Sequence, residues 1–282
     1  MSKYSSFAVV GAGFVGLPII KALVSQNASV VVLTRSTSTS KSDFGDEVTV
    51  APVNYTDIAS VIHALKENHV QVVICTFGNE GLSSQNTVAE ASKAAGVKLF
   101  VPSEFGLPTE GAAESLFAVK DKSAKYIQSL GMPTARFYNG YFIQRLPDVV
   151  GYKTNKKINI LDHVKGDKPI SFTAIEDVAG YVAYVLTTLH PYQLDYTVYR
   201  IQGQAATLVD LASILETTVE RVKEVPGPNS SVAAFFQTYF ETGGGSTGWD
   251  AGTGRESKDK AGSSNYLWEN HRWKSIKDII ST

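Results

Sequence analysis

Gly11-Ala12-Gly13-Phe14-Val15-Gly16 follows directly on an apolar run, Phe7–Val10, and opens a helical stretch, Phe14–Ser25. No other feature constrains the chain as much. The first glycine permits a tight turn, the second lets a ligand approach the backbone, and the third lets helix and strand pack closely. A helix N-terminus offers N–H groups and the positive end of its dipole, which together attract phosphate. The pattern therefore predicts a strand–turn–helix unit with an anion-binding turn. The plain alternative is a tight turn with no ligand.

The same alternation continues downstream. Val30–Leu33 reads as a strand, Ser36–Ser42 as a hydroxyl-rich loop, and Val48–Val53 as a short strand. Ile58, Val61, Ile62 and Leu65 recur at helical spacing, with Asp57 or Thr56 as cap. Val70–Thr76 is a β-branched run and reads as a buried strand. Ser84–Ala95 is a helix ended by Gly96, Val97–Val101 a strand stopped by Pro102, Ala113–Leu130 a helix ended by Gly131, and Thr134–Tyr138 a strand. Parallel strands need crossover helices, so the fold class is α/β: a Rossmann-type, doubly wound parallel sheet with a smaller C-terminal lobe.

The second half is less regular. Lys153–Lys168 suggests a hairpin, Asp177–Leu189 a helix and Tyr196–Gln202 a strand. Thr207–Val222 suggests a helix, with Thr207 and Asp210 spaced as a capping box. Val232–Phe240 shows an apolar helical face of Val232, Phe235, Phe236 and Tyr239. Gly243–Ser264 is Gly/Ser/Thr-rich and reads as mobile, with Gly243–Gly254 either a lid that orders on binding or plain linker, and Ser275–Ile280 reads as a short terminal helix.

Formal charge is −1, so no global basic field exists for nucleic acid or an anionic membrane. No run approaches the roughly 18 apolar residues of a membrane helix. Met1–Ser6 lacks the charged start and long apolar stretch of a secretory signal. Cys75 is the only cysteine and lies in an apolar run, which suits a reducing compartment. The expected address is cytoplasmic. The five histidines show no metal-ligand spacing, so no metal is expected, although His163 remains a faint candidate for a role in the second lobe.

The second strand ends Leu33-Thr34-Arg35-Ser36. An NAD site places an Asp or Glu here to accept from the ribose 2′-hydroxyl. Arg35 cannot accept, but its guanidinium suits a 2′-phosphate, and the hydroxyls of Thr34, Ser36 and Thr37 add donors. The reading is NADP(H), against the alternative of a solvated arginine. Thr76-Phe77-Gly78 ends the fourth strand at the same sheet edge, where ligands of open α/β sheets lie.

Val101-Pro102-Ser103-Glu104-Phe105-Gly106 resembles the PSEFG segment of the isoflavone reductase and phenylcoumaran benzylic ether reductase group, atypical short-chain dehydrogenases close to the NmrA-like proteins. The similarity extends over most of the chain. Gly11–Gly16 and Arg35 look like that family's nucleotide turn and selecting arginine. Gln85–Gly96 resembles its helix before PSEFG, Ala118-Val119-Lys120 its lysine segment, Asn139-Gly140-Tyr141-Phe142 its segment after strand five, and Glu176–Gly180 its Asp-Ile-Gly helix start. The usual Tyr-x-x-x-Lys pair is broken, because position 116 is Leu116.

The resemblance implies an NADP-dependent reductase in which Lys120 contacts the nicotinamide ribose and moves a proton. Without it, Lys120 reads as a surface lysine beside Lys122 and Lys125. Tyr138 or Tyr141 can supply the missing phenol, or serve as core or aromatic wall. Ser103 is a candidate cofactor ligand and Glu104 a turn cap or ligand. The expected cofactor set is Gly11, Ala12, Gly13, Phe14, Val15, Gly16, Thr34, Arg35, Ser36, Thr76, Phe77, Gly78, Pro102, Ser103, Glu104, Lys120, Tyr138 and Asn139, with Lys120 and Tyr138 as catalytic candidates. Residues 1–150 are expected to bind NADP, receiving strands near 170–176 and 196–203, and residues 151–282 to form most of a substrate lobe. Tyr152, Phe235, Phe236, Tyr239 and Trp249 can line it. The substrate is expected to be a small aromatic or carbonyl-bearing molecule. The rival from another class is a non-catalytic NADP(H) sensor that acts through a protein partner.

Overall fold

A computed structural model describes residues 3–35 and 44–280. The expected loop Ser36–Ser42, and with it Ser36 and Thr37, lies outside the described residues. The elements run β1 (Ser6–Val10), α1 (Gly16–Ser25), β2 (Ser29–Thr34), β3 (Val48–Pro52), α2 (Ile58–Glu67), β4 (Val72–Cys75), α3 (Gln85–Ala95), β5 (Leu99–Val101), α4 (Ser115–Ser129) and β6 (Ala135–Tyr138). The chain divides into two compact units. One holds Met1–Phe105, Glu114–Phe137 and Ala179–Tyr199, and the other holds Gly106–Ala113, Tyr138–Val178 and Arg200–Thr282.

In the first unit five parallel strands lie in the order β3-β2-β1-β4-β5. The β-branched runs explain them: Val9, Val32 and Ile74 are buried on one face, and Ala8, Val31 and Val73 on the other. Strands covered on both faces have no need of polar alternation. On one face a single core joins Val10, Leu33 and Cys75 to Val61 and Leu65 of α2, Val88 and Ala91 of α3, and Ile127 of α4. Asp57 caps α2, its Oδ1 accepting from the Ala59 N–H at 3.0 Å. Because β1 lies between β2 and β4, the chain order reverses there. The C-terminal ends of these three strands flank the crevice where such sheets bind ligands.

The second unit continues with β7 (Tyr141–Phe142), α5 (Leu146–Val149), α6 (Tyr152–Asn155), β8 (Ile158–Leu161) and β9 (Ile170–Thr173). Helix α7 (Ile175–Thr188) begins in the second unit and has most of its length in the first, followed by α8 (Pro191–Leu194) and β10 (Thr197–Arg200). Then come β11 (Gln204–Ala206), α9 (Asp210–Ile214), β12 (Val219–Val222), α10 (Ser230–Glu241), β13 (Trp249–Asp250), β14 (Arg255–Glu256) and α11 (Ile276–Ile279). Strand β10 pairs with β6, and β9 pairs with β7 and β11.

Three expectations need correction. The helix over Thr207–Val222 is only α9. Its capping box forms, Asp210 N to Thr207 Oγ1 at 3.0 Å and Thr207 N to Asp210 Oδ2 at 2.9 Å, but Glu216 turns left-handed at φ +53°. The β-branched residues beyond it extend as β12, which pairs in parallel with β8. The hairpin over Lys153–Lys168 is absent for the same reason, since its strand finds a partner about sixty residues away. The first seven residues of the glycine-rich segment are packed rather than loose. Gly243 to Trp249 are all buried, and a Cβ on Gly244 would lie 2.3 Å from the Tyr239 ring.

Among the described residues no helix is long and apolar enough to cross a membrane. No cluster of three His, Cys, Asp or Glu forms among them either.

Candidate active site

The glycine turn adopts the geometry its spacing demands. Gly11 stands at φ +91°, where a side chain would be strained, and its N–H donates to the Leu33 carbonyl at 3.2 Å. A Cβ on Gly16 would lie 2.2 Å from the Gly11 carbonyl oxygen and 2.6 Å from Thr76 Oγ1. This glycine serves the packing of turn, helix and β4. Gly13 differs, because a Cβ there would meet no atom within 4 Å. Nothing among the described residues requires its smallness. Helix α1 has no side-chain cap and no acid in its first turn, so its positive end is not neutralised.

These features open on a cleft of about 580 Å³. It is lined by Gly11, Ala12, Gly13, Thr34, Arg35, Tyr55 and Thr76, and continues over Phe77 to Gly81. Arg35 is exposed at the end of β2 and also borders a second, smaller hollow with Pro52, Val53 and Asn54. Among the described residues no carboxylate pairs with it. Tyr55 is an addition to the expected set. Its buried phenol donates to the Leu33 carbonyl at 2.6 Å, and its ring meets Phe77 edge-on at 5.1 Å. Burial first, and the nearby Cys75 second, push its proton affinity well up, with Arg35 pulling the other way. Tyr55 is therefore a neutral donor that fixes the end of β2. The only hint in the sequence is the turn Asn54-Tyr55-Thr56 after a strand.

The turn after β5 is held from several sides. Gln85 Oε1 accepts from Ser103 N at 2.7 Å, and Gln85 Nε2 donates to Ser123 Oγ at 2.8 Å. Ser103 Oγ donates to the Phe77 carbonyl at 2.9 Å, tying the turn to the cleft wall. Pro102 is buried, and its carbonyl accepts from Glu104 N at 2.8 Å. The Glu104 carboxylate is buried and meets Arg136 Nε at 2.9 Å and Nη2 at 2.8 Å. Lys120, half-buried on α4, donates to the Glu104 carbonyl at 2.6 Å. Burial pulls the Lys120 proton affinity below its ordinary value, while the Glu104 charge pushes back. Gln85 gave no signal in the sequence. Arg136 did: an arginine inside the apolar strand Ala135–Tyr138 needs a buried acid.

The remaining candidates lie elsewhere. Phe14 and Val15 sit at the start of α1, and Phe14 is exposed. Tyr138 is fully buried in the second unit, its phenol 3.2 Å from Thr109 Oγ1, with the Arg200 guanidinium 5.2 Å from its ring centre. Asn139 is also fully buried. Its Nδ2 donates to the Gly140 carbonyl at 3.1 Å, and its Oδ1 has no partner among the described residues. Tyr141 packs edge-on against Phe236 at 4.9 Å and Phe240 at 5.4 Å. Phe235, by contrast, is exposed on α10.

Known proteins resemble this chain in sequence and in fold. The chain is 26% identical over 245 residues to phenylcoumaran benzylic ether reductase PT1 of Pinus taeda, covering 79% of this chain and 78% of that protein. The fold matches the binary complex of leucoanthocyanidin reductase and NADPH from Vitis vinifera, with a TM-score of 0.77 at 18% identity over 97% of both chains. It also matches the Escherichia coli NADPH-dependent quinone oxidoreductase QOR2 complexed with NADPH, with a TM-score of 0.73 at 19% identity over 96% of both chains. The sequence model of the NmrA-like family matches residues 3–237, the greater part of the chain, and the protein therefore belongs to the NmrA-like family.

Proposed function

We propose that this protein is an NADPH-dependent reductase of a small aromatic or carbonyl-bearing molecule. The observation that carries the reading is the pairing, in one cleft, of the glycine turn with an arginine at the end of β2. The open space at Gly13 and the uncapped start of α1 suit a diphosphate. Arg35 with Thr34 suits a 2′-phosphate better than a free ribose. Ser36 is assigned to the same group from sequence alone. Thr76, Phe77 and Gly78 form the wall for the ribose. The first unit is the coenzyme unit in this reading, and residues 151–282 supply most of the substrate contacts.

The bound coenzyme supplies the hydride. Residues of this chain supply orientation and the proton. An ammonium with lowered proton affinity gives up its proton more readily near neutral pH, which suits Lys120 to protonate the atom that gains charge. Solvent then returns the proton to Lys120. Tyr138 has the weaker claim, since its phenol is shared with Thr109. A Tyr138→Phe variant working at the wild-type rate would remove it from the mechanism.

The test mixes the protein and NADPH with a panel of enones, quinones, aldehydes and aryl ethers and follows the absorbance of the reduced coenzyme. Turnover that disappears in Lys120→Ala supports the reading. Tight NADPH binding with no turnover of any compound, and a protein partner retained only with nucleotide, would replace it with the sensor.

A further inference from the structure

We infer that Arg136 is a positioning residue for Lys120, acting through Glu104 to fix where the Lys120 ammonium points. The inference rests on the reductase reading for its purpose, though not for its geometry.

The turn Pro102–Phe105 does not hold its shape unaided. Phe105 sits at φ +29°, a conformation uncommon for a side-chain-bearing residue. Such a conformation persists where the surroundings over-determine it. Here Gln85 holds Ser103, the Phe105 ring stacks on Phe137 at 6.2 Å, and Arg136 grips the Glu104 carboxylate. Glu104 is the residue whose carbonyl receives the Lys120 ammonium. The guanidinium fixes the side chain of Glu104, and thereby the oxygen to which Lys120 points.

The same contact sets the local field. Glu104 is the charged group that acts on Lys120, and its carboxylate is tied through Arg136 on β6 to Asp121 and Lys125 on α4. Arg136 Nη2 lies 3.4 Å from Asp121, and Lys125 lies 2.7 Å from the other Asp121 oxygen. Glu104, Asp121 and Arg136 are all buried. A lone carboxylate this close would hold the Lys120 proton firmly. A carboxylate already neutralised by arginine does so far less, leaving burial to dominate. In this arrangement Arg136 keeps the ammonium ready to release its proton.

The predicted signs are opposite for the two partners. Arg136→Met leaves the Glu104 charge unbalanced and raises the Lys120 titration by about one pH unit. Glu104→Gln keeps the size and an acceptor, removes the carboxylate and leaves Arg136 unbalanced, so the titration falls. Arg136→Lys restores the charge without the fork and lies between wild type and Arg136→Met.

The measurement is competitive labelling of the whole protein with acetic anhydride across a pH series, with the Lys120 peptide quantified by mass spectrometry. It reads the proton on Lys120 whether or not any acceptor is turned over, so a failed reductase assay and a failed positioning role remain separate results. NADPH affinity by calorimetry is expected to stay within about threefold of wild type in correctly folded Arg136 variants, a change under 1 kcal/mol. With a substrate in hand, kcat falls in Arg136→Met while KM for NADPH holds. An unmoved Lys120 titration in folded Arg136→Met overturns the inference. If that variant does not fold, Glu104→Gln decides: a downward shift supports the role, and no shift ends it.

Discussion

Thr76 Oγ1 donates to the Gly11 carbonyl at 2.9 Å, so the end of β4 clamps the first glycine of the turn after β1. The same hydroxyl occupies the space a Cβ on Gly16 would need. Two glycines of one motif therefore have separable jobs. Gly16→Ala is expected to cost about 1–3 kcal/mol of stability, because backbone and Thr76 must both shift. Gly13→Ala is expected to melt with wild type, within about 0.5 kcal/mol. It should nevertheless lose NADPH affinity on the order of tenfold, the equivalent of 1.4 kcal/mol of contact. Melting curves and calorimetry separate the two. Undiminished binding by Gly13→Ala would move the coenzyme out of this cleft.

Arg35 is expected to set the choice of coenzyme. A charge-assisted pair contributes about 1.5–3 kcal/mol, so Arg35→Ala should weaken NADPH binding by roughly 10- to 100-fold. NADH binding should change little. Titrating both coenzymes into both proteins is sufficient, and a parallel loss for the two would mean that Arg35 only supports the fold.

Lys120 makes stability depend on pH. Its folded-state proton affinity lies below the ordinary 10.5 of the unfolded chain. Between those two values the unfolded chain holds a proton that the folded chain has released, so stability rises with pH across the window. Below the window the buried ammonium is a standing cost. Lys120→Met lacks that cost, so relative to wild type its melting temperature should be most favourable near neutrality. The advantage should shrink as pH approaches 10.5. A variant that melts lower at neutrality would show that the bond to the Glu104 carbonyl outweighs burial.

Gly244 faces the Tyr239 ring closely enough to exclude any side chain. Gly244→Ala is expected to destabilise by about 1–3 kcal/mol, since an aromatic ring must move. Limited proteolysis of the native protein should spare residues 243–249. Rapid cleavage there would restore the mobile lid suggested by composition alone.

The parts of this fold legible in the sequence are those specified locally. Phe7–Val10, Val30–Leu33 and Val70–Thr76 announce buried parallel strands because their apolar runs do not alternate, and GxGxxG fixes the order of strand, turn and helix. Arg35 is legible because its position after β2 is counted directly from that turn. Less is visible where a residue's role depends on a distant partner. Tyr55 serves Leu33, Gln85 serves Ser103 and Ser123, and β8 takes β12 as its neighbour. The glycine-rich stretch misleads for a related reason. Composition counts glycines but cannot tell a hinge from a surface on which aromatic rings rest.

The parallel pairing of β8 with β12 joins Ile158 to Val219 and Leu161 to Val222. This long-range pairing governs the order of assembly during synthesis. The strands β1 to β5 are contiguous and can zip together once residue 101 has left the ribosome. Strand β8 must wait, with its edge bare, until some sixty further residues have emerged. Closing so long a loop is entropically slow. The nascent chain is therefore open to mispairing in this interval, and slower translation of the residues between the two strands would prolong it.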